Sequence, residues 1–433
     1  MSTEAPPDQS AVALERYAAM IRRARLRYFT VIAAVVVAAS VVTTVVWLSG
    51  EISHTTLRTS AAPADIPLGT PSATLTKAWS TTDAPAIGTP YWNGTVITAD
   101  THTVRGRNGR TGAQTWSYTR TDRKVCAAAQ SEGTTVAVYQ VNGNCDELTA
   151  LDSSTGARKW NRTLDLDGHM INGSAAIDIW GSTITFRESS VIYAIDLGSG
   201  YNDWLYSETG CTINGSVLGS AGDLISQTCS GRDCTNVKPI YCGNGNQLFL
   251  RNGTAGENTD STKNNGNPDQ VIWTRQNLSA VPAAAGVLIT ALNPDGTTLS
   301  VFDSKKGTTL HTLGLAPAAL PASVVGAVNH ADAVDAEIVW LNGTTYAISS
   351  PGESVRWSAP TSVVPTAESS AGDIAGGLND ALLTVPTASG AARLDGQTGK
   401  VSATYSISTT PAAAVFPYGT GFIVSASTVT VYR

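Results

Sequence analysis

From Leu75 to Arg433 the chain alternates apolar and polar positions in short runs, TTVAVYQ, STITFRE, GVLITAL and TVTVYR among them. NG, DG and SG pairs separate the runs. A period of two with such punctuation predicts strands, and no amphipathic helical pattern interrupts them.

The runs repeat. Residues 148–160 read LTALDSSTGARKW and residues 192–204 read IYAIDLGSGYNDW. Related copies stand at 104–116, 248–257, 299–311, 345–357 and 392–403. Their turn glycines, Gly112, Gly156, Gly200, Gly256, Gly307, Gly352 and Gly399, lie on average about 48 residues apart, inside the range of propeller blades. Asn108, Asp152, Asp196, Asn252, Asp303 and Asp395 each precede the glycine by four positions. An Asp or Asn leaving a strand bonds backbone N–H groups ahead of it, and Gly then takes positive φ. Trp116, Trp160 and Trp204 follow at one fixed place. Trp273 and Trp357 follow less regularly, and His311 and Ala403 stand where a Trp is due. An aromatic burying roughly 150–250 Å² needs more cover than one thin sheet supplies, so each sheet needs a neighbour.

Seven turns are visible, and the chain stops where an eighth is due. Trp79, in TLTKAWS, has no turn of its own. The expectation is an all-β, eight-bladed propeller over residues 75–433, at about 45 residues per blade, closed by the N-terminal strand in the last blade.

Upstream the pattern changes. Residues 28–48, YFTVIAAVVVAASVVTTVVWL, carry no charge and suffice to span a bilayer as one helix. Arg16, Arg22, Arg23, Arg25 and Arg27 precede them and only Arg58 lies close behind, which places residues 1–27 in the cytoplasm and the propeller outside the plasma membrane. A cleaved signal peptide is the competing reading. Residues 10–27 also suit a basic helix at anionic lipid. Residues 49–74, rich in Ser, Thr, Ala and Pro, read as a linker.

With 14% charged residues and a net charge of −6, the chain lacks the basic footprint of a nucleic-acid binder. Its six cysteines, Cys126, Cys145, Cys211, Cys229, Cys234 and Cys242, all lie in the exported part, which predicts disulfides, with zinc as the alternative. In a blade of strands A to D from inside outwards, all six fall on one side. The pairs Cys126–Cys145, Cys211–Cys229 and Cys234–Cys242 are expected, one of about 15 connectivities.

The AxDxxTGxxxW pattern at Ala150–Trp160 and Ala194–Trp204 resembles the repeat of pyrroloquinoline-quinone (PQQ)-type propellers. WD-repeat and kelch signatures are absent. The resemblance implies either a quinoprotein dehydrogenase holding PQQ and Ca²⁺ at the ring centre, or a non-enzymatic scaffold such as the lipoprotein subunit of the outer-membrane barrel-assembly machine. The family's cofactor is covered by a disulfide between adjacent cysteines, and no Cys-Cys pair occurs here. DLDG (165–168) and DAVDAE (332–337) read as solvated turns rather than convergent Ca²⁺ ligands. His54, His102, His169, His311 and His330 have no evident catalytic partners, and no GxSxG elbow occurs. The Asn-Gly-Ser/Thr triplets at Asn93, Asn172, Asn214, Asn252 and Asn342 resemble glycosylation acceptors but read first as hairpin turns.

These observations point to a non-catalytic, membrane-anchored scaffold or accessory subunit that binds envelope proteins and needs no cofactor. Arg232, Lys238 and Tyr241, on the loop SGRDCTNVKPIYCGNGN, are the candidate partner-binding residues. The insertion 257–270 should project from the opposite face. A small-ligand sensor, for a sugar in the funnel, is the alternative, and a PQQ-dependent dehydrogenase a more distant one.

Overall fold

The computed structural model describes residues 51–164, 177–230 and 245–433, apart from 252–270, 315–324, 329–335, 350–353, 368–381, 409–413 and a few isolated positions. Two compact units divide at residue 57. The first is described only from residue 51, as a helical turn, Glu51–His54, and the start of a short strand. Among the described residues no helix is long and apolar enough to cross a membrane. The expected span at 28–48 lies outside them, as does the basic segment 1–27.

The second unit contains eight sheets, blades 1 to 8, built of antiparallel strands A to D in chain order. Blade 1 is Ala84–Pro85, Thr95–Ala99, Thr103–Asn108 and Gln114–Arg120. Blade 5 is Val281–Ala285, Ile289–Leu292, Thr298–Phe302 and Thr309–Gly314. Blade 6 is Val325–Val328, Ala336–Leu341, Thr344–Ser349 and Val355–Pro360, and blade 7 is Thr366–Ala367, Leu382–Thr387, Gly390–Asp395 and Val401–Tyr405. Strands A to D are Val125–Ser131, Thr134–Val141, Asn144–Asp152 and Arg158–Thr163 in blade 2. In blade 3 they are Ile177–Trp180, Thr183–Arg187, Val191–Asp196 and Asn202–Ser207. Blade 4 consists of Cys211–Gly219, Gly222–Cys229, Gly245–Arg251 and Val271–Gln276. Blade 8 takes Ala414–Tyr418, Gly421–Ser425 and Val429–Tyr432 from the C-terminus and Lys77–Thr81 from the N-terminal side. Trp79 pairs with Val431, and the Arg433 and Thr76 main chains exchange bonds of 2.8 and 2.9 Å. The two ends therefore share the last sheet.

The core lies between sheets rather than within them. Each of the eight described apolar clusters joins residues of neighbouring blades, including one between blades 8 and 1 that contains Trp79, Val96 and Val431. Eight seams among eight sheets make a closed ring; an open row would have seven.

The repeated turn works as its residues require. Asp152 Oδ1 accepts the N–H groups of Ser154 (3.1 Å) and Thr155 (2.9 Å), and Gly156 takes φ +73°. In blades 1, 2, 4, 6 and 8 the Trp then bonds the turn of the next. Trp116 Nε1 donates to Ser153 O (2.9 Å), Trp160 to Leu197 O (2.9 Å), Trp357 to Gly396 O (2.8 Å) and Trp79 to Gly109 O (2.9 Å). A Cβ on Gly156 would stand 2.6 Å from Trp116 Cβ, so the glycine is needed for space as well as for φ. Trp273 and Trp357 occupy the same register as the others, and His311 and Ala403 fill it in blades 5 and 7.

Three features depart from the sequence reading. Residues 60–66 and Gly69, part of the segment read as a linker, lie against the turns of blades 2, 1 and 8. Ser60 N–H bonds Thr155 O (3.1 Å), Gly69 N–H bonds Gly419 O (3.0 Å), and Ile66 packs into the Trp79 seam. These bonds are largely main-chain, so composition does not report them. Second, Ile87–Gly88 forms an extra inner strand parallel to strand A of blade 2. Gly88 has φ +81°, and a Cβ there would meet Gln130 O at 2.6 Å and Ile179 Cγ2 at 2.8 Å. Third, Glu337, read as part of a solvated turn, is fully buried in blade 6 and accepts the Leu288 N–H of blade 5 at 3.2 Å. The neighbouring blade supplies that burial.

Candidate protein-interaction face

Antiparallel strands put A–B and C–D turns on one face of the ring, and B–C and D–A connections on the other. Residues 60–66 and Gly69 lie on the first face, touching Thr155, Gly94 and Gly419. The second face carries the disulfides. Cys126, near the start of strand A in blade 2, is bonded to Cys145 near the start of strand C. Cys211 and Cys229, the first residue of strand A and the last of strand B in blade 4, are register partners and bonded. Each bond closes a loop of under 20 residues, removing unfolded-state freedom by about 3 kcal/mol in the chain-entropy model. Cys234, Cys242, Arg232, Lys238 and Tyr241 lie outside the described residues, as does the insertion 257–270.

Beside the Cys126–Cys145 bond, a matched charge cluster braces the D–A connection from blade 1. Arg120 is 1% exposed; it binds Glu147, and Asp122 at 3.0 Å. Arg123 binds Glu147 as well, and Asp122 at 3.3 Å. Burial alone would raise the Asp122 carboxyl, but Arg120 and Arg123 hold it below its ordinary value. Asp146 is raised by burial. His102 Nδ1 lies 2.7 Å from Arg123 O, fixing the same loop. Lys124 is left exposed on the face.

On blade 4 a polar ladder crosses three strands. Asn214 Nδ2 donates to Thr228 Oγ1 (2.8 Å), which donates to Asn246 Oδ1 (2.8 Å); Asn214 and Thr228 are exposed. Asn214 was expected in a hairpin turn, but it stands at a bulge in strand A. The Asn-Gly pair at 93–94 does form the expected turn, with φ of +41° and +75°. Neither the charge cluster nor the ladder is legible in the sequence, because both depend on which strands are neighbours. The adjacency of TDRK to Cys126 is the one local signal.

A ring-centre cofactor site fits these residues poorly. Ca²⁺ takes about 6–8 oxygen ligands, and among the described residues no three His, Cys, Asp or Glu side chains converge. Asp178, on strand A of blade 3, already accepts the Ile179 and Leu218 N–H groups. The described cysteines are bonded to partners 18 and 19 residues away, not to adjacent ones.

A family model described as outer membrane protein assembly factor BamB matches residues 73–235. No curated protein matches the chain. Among solved structures, BamB from Moraxella catarrhalis is similar at 16% identity and a TM-score of 0.48, over 83% of this chain and 98% of that one. The C-terminal WD40 domain of Sif2 is similar at 12% identity and 0.48, over 83% and 98%. Quinohemoprotein alcohol dehydrogenase ADHIIG from Pseudomonas putida HK5 is similar at 12% identity and 0.44, over 83% and 76%.

Proposed function

We propose, on the premise that this chain belongs to the PQQ-like β-propeller repeat family, that it is a non-catalytic scaffold or accessory subunit of a bacterial cell envelope. Residues 28–48 anchor it in the plasma membrane, with the N-terminus inside and the propeller outside. Its partners are other envelope proteins, held on the disulfide-bearing face. The observation that carries this reading is the division of labour between the two faces. The chain's own residues 60–66 and Gly69 are tied down over one face, while on the other two disulfides brace the strand ends. Rigid support for exposed connections is what a binding surface requires. Residues 231–244, with Arg232, Lys238 and Tyr241, follow the second brace in the sequence. The exposed amide and hydroxyl ladder at Asn214 and Thr228 favours a second reading, a sugar-sized polar ligand bound at the same place.

Amine cross-linking in native membranes followed by peptide mapping separates the faces. Lys124 lies on the braced face, and Lys238 is proposed to join it, whereas Lys305, Lys306 and Lys400 lie in or beside C–D turns on the other. Links from Lys124 or Lys238 to an envelope protein are expected. Intermolecular links confined to Lys305, Lys306 and Lys400 would contradict the assignment.

A further inference from the structure

The seam between blades 3 and 4 contains buried charge. Asp223, the second residue of strand B in blade 4, is 1% exposed, and neither of its carboxylate oxygens has a hydrogen-bond partner. An ionised carboxylate left so is strongly disfavoured. Its cross-strand neighbours are Leu218 and Arg251. The Arg251 guanidinium lies 4.5 Å above the Trp204 ring of blade 3 and donates to Leu205 O at 3.4 Å. From blade 3, Asp178 reaches across the seam, and its Oδ2 accepts the Leu218 N–H at 3.2 Å. The two acids thus approach the same residue from opposite blades. Arg187, at the end of strand B in blade 3, is the remaining charged group acting on both.

Blade 6 offers an internal comparison. Glu337 holds the register position of Asp223 and is equally buried, yet its longer side chain gains a backbone N–H from the preceding blade. Asp223 gains none.

We propose that Asp223 and Asp178 form a proton-binding pair that holds the seam between blades 3 and 4 together in acid and neutral solution and loosens it in alkaline solution. Burial foremost, then the charge of Asp178, pushes Asp223 up to about 8, against the opposing pull of Arg251 and Arg187. Burial also raises Asp178, against the N–H groups of Leu218 and Ile179 and the charge of Arg187. The sign follows from linkage. In the unfolded chain Asp223 titrates near the ordinary ~3.9. Between there and about 8 the folded chain holds the extra proton, so stability falls as pH rises through that window, by up to about tenfold in the folding constant per pH unit. Strand B, in which Asp223 stands second, ends at the disulfide-bonded Cys229, so the loosening acts on the strand that carries the second brace.

The test uses the full chain in detergent, with urea unfolding of wild type and Asp223→Asn from pH 5 to pH 9 and infrared detection of protonated carboxyl groups. The neutral amide should remove the slope assigned to Asp223, so the variant becomes the more stable of the two as pH approaches 9. The wild type should show a protonated-carboxyl band at pH 7 that fades above pH 8. Parallel unfolding curves, or no such band at pH 7, would overturn the proposal. If Asp223→Asn does not fold, the infrared titration of wild type and Asp178→Asn still decides. Removing the neighbouring charge should move the fading to lower pH, and an unmoved titration counts against the pair.

Discussion

Trp116→Ala is expected to lower the stability of the propeller by about 3–5 kcal/mol, the range for deleting a fully buried Trp. Trp116 is wholly buried and hangs from blade 1 over the turn of blade 2. The variant leaves a cavity in a seam that no side chain of its own sheet can refill, and it strands the Ser153 carbonyl. Gly156→Ala attacks the same contact from the other side. Its Cβ would lie within van der Waals distance of the indole, and φ +73° strains a residue with Cβ by about 1–2 kcal/mol. The two sites touch, so the double variant should lose less than the sum of the singles. Urea unfolding checks both statements. A loss under about 1 kcal/mol for Trp116→Ala, or strict additivity, would mean the seams do not carry the fold.

Removing residues 1–82 should be more severe. It deletes Lys77–Thr81, the outer strand of blade 8, and with it Trp79, whose indole bonds Gly109 of blade 1 at 2.9 Å. Blade 8 keeps three strands and exposes the edge of Val429–Tyr432, while the seam to blade 1 loses its central aromatic. An open ring with a bare apolar edge is a template for association. Loss of the cooperative melting transition and a shift to oligomers on size exclusion are expected. A chain beginning at residue 57 keeps both the strand and segment 60–69 and serves as the control. A monomer from residue 83 that melts like the control would refute the closure.

Much of this architecture is legible in the chain because the repeated turn rests on local chemistry. Asp152 or Asp395 bonds the N–H groups just ahead of it, and the glycine must take positive φ. Those requirements write Asp and Gly at fixed spacing, and the seam then writes Trp at the next strand. The bonds Cys126–Cys145 and Cys211–Cys229 follow because a four-stranded blade brings strand ends together. Other features are silent because other blades create them. Asp223 and Glu337 look like ordinary acids near strand starts, and only the sheet next door buries them. The docking of Ser60 and Gly69 and the inner strand Ile87–Gly88 depend mainly on main-chain hydrogen bonds, to which almost any side chain is indifferent. The ladder from Asn214 to Asn246 spans 32 residues of chain and becomes a unit only through strand pairing.

Ring closure by the two chain ends is most directly measured by joining them. Ser80 and Thr430 are register partners across the closing pair of strands. With Ser80→Cys and Thr430→Cys introduced together, mild oxidation and mass spectrometry should find one new disulfide linking the peptide around residue 80 to the C-terminal peptide, at all protein concentrations and within a monomer. Failure to form that bond in folded protein, or its formation only between two chains, would contradict the closed eight-bladed ring.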